Sequence, residues 1–231
     1  MVLGAFSQKL CADSESGASV ERKQREDLLR LLTHAEKNVP RFKGVGRDGL
    51  SLQNVFDRLK QYPVMRRADI QSDPDAFMAA GCSDVRRDAT GGSTGTPMTF
   101  FVDRGTQVAR ESSLWWANAL AGWQPGEKVA MLWGSDRDCR GAVAHARLKL
   151  RWWIENMRWY NAFEMGEKQM AHFDEDLRRF RPHLLVAYAG AVFTFAQYVR
   201  SAGRPPSYPL KSIVTSAEML TPEMRSLAEN V

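Results

Sequence analysis

Between Thr90 and Pro97 the chain reads Thr-Gly-Gly-Ser-Thr-Gly-Thr-Pro, a run with three glycines and four hydroxyl side chains. Such a run can hold an anion. Glycine tolerates positive φ and removes side-chain bulk, so backbone N–H groups can approach phosphate oxygens closely, and Ser/Thr hydroxyls add further donors. The run lacks the Lys-Ser/Thr ending and the following helix of a Walker-type loop, because Thr96-Pro97 precede an extended segment. Nor does it carry the GxGxxG spacing of a dinucleotide site. The structural alternative is a plain Gly/Ser hairpin turn.

Other reactive side chains are poorly grouped for chemistry. Cys11, Cys82 and Cys139 are far apart, with no CxxC pair. His34, His145, His172 and His183 have no Cys or carboxylate at ligand spacing, so neither a zinc site nor a disulfide framework is indicated. Trp115, Trp116, Trp152, Trp153 and Trp159 lie in helical or apolar context, which suits packing better than base stacking.

The chain has 231 residues, 44% hydrophobic and 26% charged, as expected of an ordinary globular protein. Its net charge of +5 arises from 32 basic residues mixed among 27 acidic ones. A solvated mixed-charge surface fits that mixture better than a nucleic-acid interface. No apolar run is long enough to span a bilayer, and Asp13 and Glu15 interrupt any signal-like start. The expectation is a cytoplasmic enzyme with no membrane or nucleic-acid partner.

The elements that would position the loop alternate. Residues 1–18 read as small and polar, and a helix follows from Ser19 to Pro40. Ser51 reads as the N-cap of a helix through Leu59. Met98–Val102 reads as a strand, Thr106–Leu120 as a helix, and Lys128–Trp133 as a buried strand. Helices are predicted over Ala142–Trp153, Gly166–Phe180 and Ala191–Ser201, with strands at His183–Tyr188 and Lys211–Thr215. Thr221-Pro222-Glu223 is a helix start, with the hydroxyl as cap and proline at the first position. The pattern predicts an α/β fold with a mainly parallel sheet flanked by helices and a helical N-terminus.

Four landmarks then occur in order around the loop. They are Tyr62-Pro63-Val64 with Arg66 and Arg67; Gly126-Glu127-Lys128-Val129 running to Trp133-Gly134-Ser135; Arg181-Pro182-His183 running to Tyr188; and Thr215-Ser216-Ala217-Glu218 with Leu220-Thr221-Pro222-Glu223. Together with Thr90–Pro97 they resemble the adenylate-forming superfamily, in its phenylacetate–CoA ligase and capsular polysaccharide biosynthesis branch. The resemblance covers roughly residues 55–231. It implies a helical extension over residues 1–50 and an incomplete adenylation (AMP-binding) large domain over 51–231, without the small C-terminal domain.

What the resemblance implies for function is ATP-dependent activation of a carboxylic acid to an acyl-adenylate, followed by transfer to coenzyme A or another acceptor. Thr90, Gly91, Gly92, Ser93, Thr94, Gly95 and Thr96 would wrap the ATP phosphates. Ser216, Ala217 and Glu218 would border the nucleotide, and Tyr188 and Gly190 the acyl side, with Trp133, Ser135 and Asp136 at an equivalent strand end. Mg²⁺ would accompany ATP, and the partners would be small molecules, with a homodimer allowed. Arg147, Lys149, Arg151 and Arg158 could serve a coenzyme A phosphate, although a solvated helix face accounts for them as well. Many members carry Lys where this chain has Thr96. The acidic Mg²⁺ partner, the ribose-binding Asp and the catalytic Lys of such enzymes are expected beyond Val231. The rival reading is a non-catalytic remnant or a module that binds a nucleotide or a partner.

Overall fold

The apolar runs after Lys128, His183 and Lys211 do become neighbouring strands. In a computed structural model, β3 (Val129–Leu132), β5 (Leu184–Tyr188) and β6 (Ser212–Ser216) pair in parallel, with β4 (Met157–Tyr160) on the outer side of β3. The sheet order is β4-β3-β5-β6. Residues 1–12, 15–45, 49–90, 98–134 and 149–231 are described, the side chains of 11 and 12 excepted. They divide into two units, Met1–Ser113 and Leu114–Val231.

The C-terminal unit is built around β5, whose first four residues are all buried. A strand buried on both faces reads as a continuous apolar run rather than an alternating one, as Leu184–Tyr188 does. On one face Ala130, Leu132, Leu185 and Ala187 pack with Phe173 and Leu177 of α6 (Glu167–Phe180) and with Val192, Phe195 and Val199 of α7 (Ala189–Ala202). On the other, Val129, Leu184 and Val186 pack with Trp123 and Trp115, the latter from α5 (Arg104–Leu120). The layers are therefore helix, sheet, helix, the parallel α/β arrangement expected.

The helix signals of this unit act as the sequence implies. Gly203 ends α7 at φ 62, the left-handed position that glycine adopts without a Cβ penalty. The last helix, α8 (Pro222–Glu229), is capped by Thr221, whose Oγ1 accepts from the Met224 N–H at 3.3 Å. Inside the unit, Arg178 Nε donates to the buried Asp174 at 2.9 Å, and its guanidinium reaches the carbonyl oxygens of Arg204 and Pro205. This ties α6 to the Pro-rich turn after α7.

The N-terminal unit is helical and includes a hairpin ahead of α5. Helices α1 (Val2–Ala12) and α2 (Gly17–Asn38) come first, followed by the short α3 (Val55–Leu59) and α4 (Arg67–Ser72). Leu32, Val39 and Val55 are buried, and the Tyr62 phenol donates to Glu36. The strands β1 (Val85–Ala89) and β2 (Thr99–Asp103) then pair antiparallel, from Val85 opposite Asp103 to Ala89 opposite Thr99.

Three expectations are corrected. The first residues form α1 rather than a frayed polar end, because Val2, Leu3, Phe6 and Leu10 supply an apolar stripe. Ser51 does not cap a helix directly: its Oγ accepts from Asn54 N–H and its own N–H donates to Asn54 Oδ1, a polar turn placed before α3. The third is β4, where Met-Arg-Trp-Tyr follows the helical residues 149–154 and no strand was expected.

Replacing Arg178 with alanine leaves the buried Asp174 carboxylate without its charge partner. Stability measured by urea unfolding should fall by about 3 kcal/mol or more, the usual cost of breaking a buried pair on one side.

Candidate functional site

Parallel pairing brings the C-terminal ends of β3, β5 and β6 to one sheet edge. Leu132 lies opposite Ala187, and Tyr188 opposite Ser216. Trp133, Tyr188 and Ser216 therefore share that edge, where open α/β sheets bind ligands. The Tyr188 ring stacks on Trp133 with centroids 4.4 Å apart and planes at 29°. Phe163 stands 6.0 Å from the Tyr188 ring and is 70% exposed. Three aromatic rings thus form a shelf open to solvent.

Phe163 was missed by sequence reasoning because it depends on β4. The chain continues past that strand with Trp133 N–H donating to Tyr160 O and Ala162 N–H to Gly134 O, at 3.0 and 3.2 Å. This extension of the parallel ladder places Phe163 beside Tyr188. Recognising β4 would have pointed to Phe163 by the same strand-end logic that singled out Trp133.

Gly190 and Glu218 are also brought together. The Gly190 N–H donates to Glu218 Oε2 at 2.7 Å. A Cβ on Gly190 would lie 2.9 Å from that oxygen, too close for the carboxylate to stay where it is. Between β6 and Glu218 the backbone passes through Ala217 at φ 67, a left-handed conformation that alanine rarely adopts. Ser216, Ala217 and Glu218 are all exposed at the sheet edge.

A cleft of about 540 Å³ opens beside the end of β4, lined by Leu132, Tyr160, Asn161, Glu164, His172 and Asp176 among others. None of the sequence-predicted site residues among the described residues lines it. Burial opposes the Asp176 charge, but donors from Arg158 and Tyr160 outweigh it and hold the pKa below its ordinary value. Burial, then the hydrogen bond to Asp176, push the Tyr160 phenol far above its ordinary value. Asp176 therefore stays ionised and Tyr160 neutral near pH 7, which makes the pair a fixed structural contact.

Thr90 belongs to the N-terminal unit. Its N–H donates to Met98 O at 3.0 Å, and its Oγ1 accepts from Met98 N–H at 3.1 Å. It closes the neck of the β1–β2 hairpin one step beyond the Ala89–Thr99 pair. One of the two acceptor positions of the hydroxyl is thereby used, while its proton remains a donor. Gly91, Gly92, Ser93, Thr94, Gly95 and Thr96 lie outside the described residues, as do Ser135 and Asp136.

Among the described residues no group of three or more His, Cys, Asp or Glu could hold a metal ion. The Glu218 carboxylate is engaged by a backbone amide. A Mg²⁺ ion arriving with ATP takes most of its ligands from phosphate and water, so its site does not need such a group among the described residues. Nor is any helix among them long and apolar enough to cross a membrane.

The whole chain resembles solved structures of 2-hydroxyisobutyryl-CoA ligase. One, in complex with 2-HIB-AMP and CoA in the thioesterification state, superposes with a TM-score of 0.64 at 16% identity, over 94% of this chain and 47% of that chain. An open conformation with the same ligands gives 0.63 at 15% identity, over 94% and 52%. The fold is shared with about half of each of those chains. This chain spans about half the length of those ligases. No family model matches the sequence, and no curated protein does. The α/β fold expected from the ordered landmarks is thus present.

Replacing Tyr188 with leucine removes the ring stacked on Trp133 while keeping an apolar side chain at the end of β5. Urea unfolding should show a loss of about 1 kcal/mol, the scale of one aromatic pair. The near-ultraviolet circular dichroism should lose intensity in the tryptophan region.

Proposed function

We propose that this chain forms part of an adenylate-forming ligase that activates a carboxylic acid with ATP and passes the acyl group to coenzyme A or a similar acceptor. The observation that carries the reading is the ligase fold over 94% of the chain, shared with a structure whose ligands are an acyl-AMP and CoA. The finer placement in the phenylacetate–CoA ligase branch rests on the four ordered sequence landmarks, and the solved ligase does not bear on it.

In this reading a carboxylate oxygen attacks the α-phosphorus of ATP, and the bond to the bridging oxygen breaks to release pyrophosphate. A thiol then attacks the acyl carbonyl and AMP departs. Two anions must first be brought together, which calls for preorganised donors rather than for a nucleophile from the protein. The residues proposed for the β- and γ-phosphates are Thr90, Gly91, Gly92, Ser93, Thr94, Gly95 and Thr96, with Thr90 fixing the base of the run. Ser216, Ala217 and Glu218 form the turn proposed to border the nucleotide. Tyr188 and Gly190 with Trp133, joined by Phe163, form the surface proposed for the acyl group, and Ser135 and Asp136 are proposed to extend it. An apolar shelf of this kind suits the uncharged part of an organic acid.

The test is carboxylate-dependent ATP–pyrophosphate exchange by the protein together with any sequence that continues it. Combining Ser93→Ala, Thr94→Val and Gly95→Ala should lower exchange by on the order of 100-fold or more, as expected when donors to a developing charge are lost. Undiminished exchange in that variant would remove the loop from the mechanism. Absence of exchange with every organic acid tried would leave the binding-module reading instead.

A further inference from the structure

We propose that Glu218 is a positioning residue, whose carboxylate caps α7 from the end of β6 and thereby fixes the Tyr188–Gly190 turn at the sheet edge. Its consequence for catalysis rests on the adenylation reading; the tether itself rests on geometry.

The first N–H groups of a helix have no partner within the helix, and a side chain at the N-cap normally satisfies one of them. At α7 the N-cap is Tyr188, which makes no side-chain capping bond. Glu218, 28 residues further along, supplies the acceptor instead, 2.7 Å from the Gly190 N–H. A carboxylate is also the charge that the positive end of a helix favours.

Two features are accounted for by this contact. Glycine at 190 leaves the space that any Cβ would take from Oε2, at 2.9 Å. Ala217, at φ 67, holds a costly backbone conformation in the turn that delivers the carboxylate, a conformation that persists where surrounding contacts fix it.

Tyr188 is at once the last residue of β5, the ladder partner of Ser216, the N-cap of α7 and the ring stacked on Trp133. Holding α7 against the turn after β6 therefore holds the aromatic shelf. Glu218 directs its carboxylate at the protein backbone, so it acts on a ligand through Tyr188 and Gly190.

The experiment compares Glu218→Ala, Glu218→Gln and Gly190→Ala. In the 231-residue chain, amide hydrogen exchange is followed across the first turn of α7. Loss of the cap in Glu218→Ala should speed exchange there by on the order of fivefold to tenfold, the equivalent of one capping contact. Gly190→Ala, which displaces the carboxylate, should do the same. Gln retains an oxygen that accepts from the Gly190 N–H, so Glu218→Gln should recover most of the protection. In the enzyme assay, Glu218→Ala should raise the KM for the carboxylic acid several-fold more than the KM for ATP, with recovery by Gln.

Unchanged exchange in both Glu218→Ala and Gly190→Ala would overturn the tether. A loss of activity equal in the Ala and Gln variants would overturn the positioning role, because it would mean that the charge itself acts on the ligand. Failure of the unmodified enzyme to catalyse any exchange would refute the adenylation reading, while the amide-protection result would still decide the tether.

Discussion

The arrangement of the C-terminal unit depends on the parallel pairing of β5 with β3 and β6. Parallel strands all finish at the same edge, so residues far apart in sequence meet there whatever the helices between them do. Burial of β5 on both faces makes this register costly to shift, since a slip would move Leu184–Ala187 out of two cores at once. Trp133, Tyr188 and Ser216 meet for that reason, and Glu218 meets Gly190 because β6 ends beside β5. The placement of these strand ends is a by-product of the core, and the contact of Glu218 with Gly190 adds to it from outside the core.

The same burial explains what could be read from the sequence. Strands at 129–132, 184–188 and 212–216 announce themselves as short apolar runs between turn residues, and α6, α7 and α8 by their periodicity and caps. Strand β4 is an edge strand of four residues in which Arg158 is exposed and Trp159 and Tyr160 are half-buried, so it offers neither an apolar run nor a clean alternation. Strand β1, Val-Arg-Arg-Asp-Ala, is stabilised by its ladder with β2 and carries almost no apolar signal of its own. With β4 unread, Phe163 could not be placed. The Glu218–Gly190 contact was equally hidden, because it links a turn to a helix start and leaves no periodic trace.

The Thr90–Pro97 run was read from glycines and hydroxyls, and its flanks show why such a composition is tolerated there. Both ends are fixed by paired backbone, with Ala89 opposite Thr99 and Thr90 bonded twice to Met98. Joining two strands already in register means that a ligand need not bring the ends of the run together. Thr90 serves that closure through its backbone and its Oγ1, and keeps one hydroxyl proton for another acceptor. The hairpin and the phosphate loop, posed as alternatives from sequence, are therefore compatible: the hairpin is the frame and the run is what it carries.

The capping of α7 also bears on how an anionic ligand could be held. A helix start at a sheet edge is an ordinary place for a phosphate or carboxylate, yet here Glu218 already supplies a negative charge to it. A second anion at the same amides would meet that charge at close range, so the proposed ATP phosphates require donors that α7 does not provide. The densest supply of such donors in the chain is the Thr90–Thr96 run, where Thr rather than Lys occupies position 96. In the proposed reading the hydroxyl-rich run supplies those donors, and the carboxylate-capped helix carries the surface proposed for the acid.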